Sequence, residues 1–441
     1  MKRSGGYVVR RQKEFFAQDL YRLEMGPMWR YFKSESFAFW MICLYLFFEY
    51  VRPQSIIPEL DFLPWTQLAV LGSMAGCFID KTVRWNKTPL NSLLFLFFIL
   101  ILISSVFAYE SSISYRYLEN FYTWLIIYLL IINIVNGKNR FFIFICIFFL
   151  ASFKLSLSLS ITWAKRGFSF TGWGLSGPPG FFQNSGELAI QMLVYWPVAL
   201  AFAIALKPYV TKIKYYILLL MPITGVMVIL GASSRGAQLA LFVQLIILNF
   251  RSIFKIRVLL AFAIILFTLW NILPQEQKNR FQVAGDDRTS IQRLLYWENG
   301  YEMMKDHPLT GVGYFNFVKY YESFFGEDLL YERAELPHNI FIQVGSELGF
   351  FALFIYIFSI GYVYFKTIWL RNGLVNNDGE FLYISFLKYL NISLVGFVVA
   401  GQFVSVVYYP FLWIHFSIFV CLVNIIGVKT INSDRQGKQN D

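Results

Sequence analysis

Long apolar stretches, broken at intervals by charged or turn-forming residues, dominate the chain from position 37 onward. They lie near 37–51, 62–79, 90–108, 121–135, 141–159, 187–206, 215–231, 236–250, 257–272, 339–365, 389–406 and 408–427. Each approaches the roughly 20 residues that carry a helix across about 30 Å of hydrocarbon. The pattern predicts an all-α polytopic membrane protein of about twelve transmembrane helices. Its membrane domain runs over 37–427, with a cytoplasmic or interfacial segment over 1–36 before it and a cytoplasmic tail over 428–441 after it. No period repeats along the chain, so one membrane domain is the simplest organisation.

Composition agrees. Of 441 residues 57% are apolar, 20% aromatic and 15% charged, with a mean hydropathy of +0.52, which excludes an ordinary cytosolic enzyme and a disordered chain. The net charge of +11 would suggest nucleic acid in a soluble protein. Here most cations fall where alternate loops and both termini face the cytoplasm, while the short outer loops carry few. Topology therefore accounts for the charge, and nucleic acid is not a needed partner. Cys43, Cys77, Cys146 and Cys421 all lie in apolar runs, a setting for packing rather than for disulfides or zinc. The first 36 residues hold eight Lys and Arg ahead of any long apolar run, unlike a secretory signal, so the first span is expected to stay in the mature protein. Their alternation of aromatic and basic residues suits a helix lying in the inner interface.

Two outer segments exceed what connection requires. Residues 160–186 carry several glycines and the Pro178-Pro179 pair, the marks of an irregular or re-entrant loop. The other, the long extracytoplasmic loop 273–338, holds most of the external charge, whereas helices in bundles are usually joined by about two to eight residues. Within it Asp286-Asp287-Arg288-Thr289-Ser290 ends in good N-cap residues, and the apolar spacing beyond them predicts a helix over about 290–305, with Arg293 and Trp297 on one face. His307-Pro308 and Gly311-x-Gly313 end it, and 314–333 reads as a second amphipathic piece on the membrane surface.

Candidate chemistry gathers on this side. Arg235 sits in Gly231-Ala-Ser-Ser-Arg235-Gly236 between two apolar runs. It is either a snorkelling loop arginine or a ligand for an anion, and the second is favoured because topology requires no cation there. Guanidinium is permanently charged and forks onto phosphate oxygens, so Arg235 with Arg293 or Arg288 suits a pyrophosphate. His338 stands where the long loop re-enters the membrane and can take a proton from a hydroxyl, although capping the next helix would also explain it. His307 reads as a helix terminator and His415 as a packed histidine. Glu347 is out of phase with His338 on an ideal helix and should face protein. Glu59-x-Asp61 and Asp286-Asp287 are weak signals for a metal, and Gly311-x-Gly313 lacks the context of a dinucleotide site.

In order along the chain, Phe182-Gln-Asn184-Ser-Gly-Glu187, Ser233-Ser-Arg235-Gly236, Arg293-Leu-Leu-Tyr-Trp297, Asp306-His-Pro308-Leu-Thr-Gly311-Val-Gly313-Tyr314-Phe-Asn-Phe317 and His338-Asn339 with Glu347-Leu-Gly349 resemble the O-antigen ligase and polymerase superfamily. The motifs cover roughly residues 180–350, and the Arg52-Pro53 loop resembles relatives tied to exopolysaccharide and exosortase loci. The resemblance implies a GT-C-like glycosyltransferase of the bacterial inner membrane. It would be metal-independent and inverting, use no cofactor, and carry its active site on the extracytoplasmic face. The implied donor is a glycan on undecaprenyl diphosphate within membrane lipids. The acceptor is a hydroxyl of lipid A core, of another glycan or of protein. The roles expected are His338 as general base or acceptor-orienting group and Arg235 with Arg293 as the diphosphate clamp. Arg288 stands in reserve, Asn184 and Glu187 line the site, and Trp297 and Tyr314 stack on sugars. A polymerase joining lipid-linked repeat units, or a flippase for the same lipid, remain as alternatives.

Overall fold

A computed structural model describes residues 17–169, 174–250, 287–374 and 381–437, with isolated positions between 251 and 286. The described residues are helical without strands. Their helices of eight residues or more are α1 (Met25–Ser34), α2 (Phe37–Tyr50), α3 (Trp65–Ile79), α4 (Pro89–Val106), α5 (Glu119–Ile134), α6 (Lys138–Lys165) and α7 (Ser185–Leu206). There follow α8 (Lys212–Gly231), α9 (Arg235–Asn249), α10 (Arg288–Asp306), α11 (Phe317–Phe324), α12 (Ile340–Gly373), α13 (Phe381–Ala400) and α14 (Pro410–Gly437). In hydrocarbon every backbone amide must bond within its own segment, which is why apolar stretches of this length become helices.

Among the described residues seven helices are long and apolar enough to cross a membrane: α4, α6, α7, α8, α12, α13, and α5 joined to the short helix before it. The apolar helices α3 and α9, and the first part of α14, are shorter. The predicted span at 257–272 lies largely outside the described residues, as do Phe15, Phe16 and Asp286. Several of the other helices run past the apolar windows. The stretch read as 141–159 is helical over Lys138–Lys165, and that read as 339–365 over Ile340–Gly373. Hydropathy marks the apolar part of a helix, not its polar ends.

The last connection needs correction. The run 389–406 places a helix end near 406, but α13 stops at Ala400, and residues 401–409 form an ordered connection buried against other elements. Val406 and Val407 are apolar because they are covered, not because they span.

α7 is the interior helix, apolar on all sides and packed against α8 and α13. Gln244 ties α9 into this core: its amide donates to the Leu193 and Ile392 carbonyls (2.9 Å each) and accepts from Trp196 Nε1 (2.7 Å). Every polar atom of a buried amide side chain must find such a partner, so Gln244 fixes the rotation of α9 and hence of Arg235 at its start.

The long loop is stitched into a break in α12. Gly349 has φ +86°, outside the helical range. Near the break the Ser346 and Glu347 carbonyls accept from Val312 (2.8 Å) and Gly313 (3.1 Å), while Phe350 N–H donates to the Pro308 carbonyl (2.9 Å). Gly311, at φ +64°, has no room for a side chain, since a Cβ would lie 2.3 Å from the Glu347 carbonyl carbon. The Gly311-x-Gly313 segment is thus a backbone joint. It fixes the long loop to the bundle, and α10 and α11 close over it around Tyr296, Met303, Phe317 and Tyr321.

Candidate functional site

Arg235 opens α9. Ser233 adopts a left-handed φ of 56° and Ser234 caps the helix, a corner that turns the chain straight from α8 into α9. Gly236 lies against Phe403, where a Cβ would come within 2.6 Å, so the corner seats directly on the 401–409 connection. A cation at a helix N-terminus opposes the macrodipole. Helix N-termini turn backbone amides toward anions, and Arg235 adds a cation at this one.

Both Nη atoms of Arg235 lie 3.2 Å from Oδ2 of Asp287. Asp287 is also the N-cap of α10, accepting from the Ser290 amide (3.1 Å) and hydroxyl (2.7 Å). Burial pushes its carboxyl up, but these hydrogen bonds and the Arg235 charge outweigh it and hold it at about 2. The ion pair therefore joins the start of α9 to the start of α10.

Arg293 lies on α10, half-buried, its Nε without a hydrogen-bond partner. Burial lowers its pKa, and the neighbouring Arg235 charge lowers it further, against opposing fields from Glu335, Asp287 and Tyr331. Two guanidinium groups thus share one neighbourhood although 58 positions separate them in the chain.

His338 completes the group. It too is left-handed, at φ 52°, the kind of strain that persists where surroundings over-determine a conformation. Its N–H donates to Ser405 Oγ (2.8 Å), and the next two residues are held by the Asn339 cap and by Ile340 N–H bonding the Gly401 carbonyl (2.8 Å). From the other side Trp297 Nε1 donates to the Pro337 carbonyl (2.9 Å), and Glu335 N–H to the Tyr296 hydroxyl (2.9 Å). The imidazole Nε2 is 2.9 Å from Glu335 Oε2, and this bond, against burial, holds the Glu335 carboxyl below the usual carboxylate range. A carboxylate only accepts, so in neutral His338 Nε2 carries the hydrogen and Nδ1 keeps the lone pair.

Asp287 is thus paired with Arg235 and Glu335 with His338, and Arg293 lies within the electrostatic reach of Arg235, Asp287 and Glu335. Arg288 lies over the Tyr331 ring, 4.8 Å from its centroid. Asn184 and Glu187 form a separate group at the start of α7: Asn184 Nδ2 is 3.2 Å from Glu187 Oε1, which also accepts from the Tyr409 hydroxyl (2.8 Å). The 401–409 connection joins this group to the first, since Val404 packs on Gly186, Phe403 on Gly236 and Ser405 on His338.

One expected role changes. Tyr314 has no exposed surface and packs edge-on against Phe315 and Tyr408, so it cannot stack on a sugar. Trp297, half-buried, donates its indole N–H to the Pro337 carbonyl and so supports the turn before His338. Glu347 is fully buried and accepts from Tyr408 (2.9 Å), apart from His338. His307 ends α10 and His415 is a buried histidine bonded to the Leu390 carbonyl (2.9 Å).

Sequence reasoning missed Asp287 as a partner of Arg235, Glu335 as a partner of His338, and Ser405. Glu335 lies three positions before His338 and was findable from that spacing. Ser405 was hidden inside a run read as a membrane span.

A polytopic helical membrane protein with paired arginines and a carboxylate-bound histidine at one end of its bundle is the class defined so far. Residues 218–357 match the family model for O-antigen ligase, and this match supports the O-antigen ligase and polymerase superfamily for the chain. Members of that family are glycosyltransferase-like enzymes. The matched stretch contains Arg235, Asp287, Arg293, Glu335 and His338 but neither α7 nor the 401–409 connection. No curated protein matches the chain.

Proposed function

We propose that this protein transfers a glycan from undecaprenyl diphosphate to an acceptor hydroxyl at the extracytoplasmic face of a bacterial inner membrane. The observation that carries the reading is the gathering of Arg235, Arg293 and the His338–Glu335 pair at one end of α9, α10 and α12.

The acceptor oxygen attacks the anomeric carbon as its proton passes to Nδ1 of His338, while the glycosidic bond to the diphosphate breaks and its electron pair leaves on that group. Glu335 orients the ring and balances the imidazolium. Arg235 and Arg293 stabilise the charge that develops on the leaving diphosphate, in a half-buried setting where such stabilisation is stronger than in water. One displacement inverts the anomeric carbon. These groups supply charge, base and orientation from side chains alone, which fits a reaction without a bound metal. About twelve spans with both termini inside would set the site on the outer face.

Reconstitution in proteoliposomes with a defined undecaprenyl-diphosphate glycan tests the reading. Product and free diphosphate carrier should appear together and be lost in His338→Ala and Arg235→Ala at unchanged protein abundance. Movement of an intact donor across the bilayer without cleavage would overturn it. Offering lipid A core against a second lipid-linked repeat unit as acceptor separates ligase from polymerase.

A further inference from the structure

The segment 329–335 and Arg288 line an open surface cleft of about 830 Å³, with Tyr331, Glu332, Arg333 and Glu335 supplying its polar groups. Its wall is pinned from α10. The Leu330 amide donates to Gln292 Oε1 (2.5 Å), Asn299 holds Asp328 (2.7 Å), and the Glu335 amide donates to Tyr296. An irregular segment held at both ends in this way presents its side chains in fixed positions.

Three features bear on what the cavity takes. Tyr331 is 44% exposed while its hydroxyl is fixed by Thr289 (3.0 Å), so part of the ring stays open for contact. The polar lining is balanced, two guanidinium groups against two carboxylates, so it offers both donors and acceptors with no net charge. The cavity also adjoins the reacting groups, since its Glu335 is the partner of His338 and its Tyr331 lies in the field of Arg293.

We infer that this cavity is the acceptor subsite and that the acceptor it selects is an uncharged sugar. The carboxylates and guanidiniums together match the vicinal hydroxyls of a sugar, each of which both gives and takes a hydrogen bond, and the part of the Tyr331 ring that Arg288 leaves open receives its C–H edge. A phosphorylated or acidic acceptor would meet Glu332 and Glu335 as well as Arg288 and Arg333, so the balanced lining gives its charge no net attraction to offset the loss of its hydration. The inference rests on the proposed transfer reaction, because it places the bound hydroxyl beside His338.

The test uses the full-length protein in nanodiscs and the neutral trisaccharides of glucose, mannose and galactose, each beside its 6-phosphate. Calorimetry should show at least one neutral trisaccharide binding more tightly than its phosphate. That affinity should fall about tenfold in Tyr331→Ala and stay near wild type in Tyr331→Phe. Glu332→Gln, which leaves the ring in place, should narrow the preference for neutral over phosphorylated sugar. Tighter binding of the phosphates, no binding of any neutral sugar, or indifference to Tyr331→Ala would each overturn the inference. In turnover assays Tyr331→Ala should raise the acceptor KM and leave the donor KM unchanged, and the reverse assigns the cavity to the donor. Neutral-sugar binding with this mutational pattern but no turnover would retain the subsite and reject the transfer reaction.

Discussion

Asp287→Asn isolates the charge of the Arg235 partner, because asparagine caps a helix about as well as aspartate. The Asp287 carboxyl lies at about 2, against 3.8 unperturbed. A shift of that size corresponds to at most ~2.5 kcal/mol of folded-state interaction. The two side chains are 25% and 30% exposed, and screening at such a site leaves about 1 kcal/mol for the ion pair itself. Because the folded pKa is depressed, this stability is present above the unfolded value near ~4 and is lost as pH falls through about 2. Near neutral pH Asp287 is therefore ionised on Arg235, in the position a donor diphosphate needs. Removing a competitor worth about 1 kcal/mol should lower the donor KM about fivefold with little change in kcat. The assay is released diphosphate carrier against donor concentration in proteoliposomes. Hydrogen exchange at the first turn of α10 should report a loss of ~1 kcal/mol in Asp287→Asn and about twice that in Asp287→Ala, which also lacks the cap. A donor KM that rises or does not move in folded Asp287→Asn would refute the competition and leave Asp287 as an orienting group for Arg235.

Arg235→Lys and Arg293→Lys keep the charge but lose the fork, and each should reduce kcat by roughly 10²–10³ with the fold intact by circular dichroism. Glu335→Gln should cost about fivefold in kcat at unchanged donor KM, since an exposed carboxylate partner is worth ~1 kcal/mol or less. Trp297→Phe removes the 2.9 Å bond to Pro337 and should destabilise the turn before His338 by ~1 kcal/mol, read as faster hydrogen exchange at 335–338. Gly311→Ala forces a side chain into φ +64° and into backbone 2.3 Å away, and should cost about 3 kcal/mol or more, read as loss of folded protein after extraction.

The membrane helices were legible because hydrophobic length is a local property that any window of sequence displays. So was a helix over about 290–305, which in the structure begins two residues earlier, at Arg288, with Asp287 as its cap. Arg235, Arg293 and His338 stood out as residues on the loop side whose presence topology did not explain. Their pairing did not: Arg235 with Asp287, and His338 with Ser405, join positions 52 and 67 residues apart, and no local pattern records such distances. Tyr314 looked like a sugar platform because aromatic type is visible in sequence and burial is not.

What the chain by itself determined is the all-helical, membrane-spanning character of the fold, since lipid leaves the backbone no other way to satisfy its amides. The tertiary structure decided which loop atoms meet. Near the break at Gly349 the Ser346 and Glu347 carbonyls are met by the amides of the Gly311–Gly313 joint, the latter carbonyl also by the Ser104 hydroxyl, and the 401–409 connection, apolar enough to pass for membrane, supplies the hydroxyl that holds His338. Buried polar groups must be paired, and the partner that pairs them is fixed by the packing of distant elements.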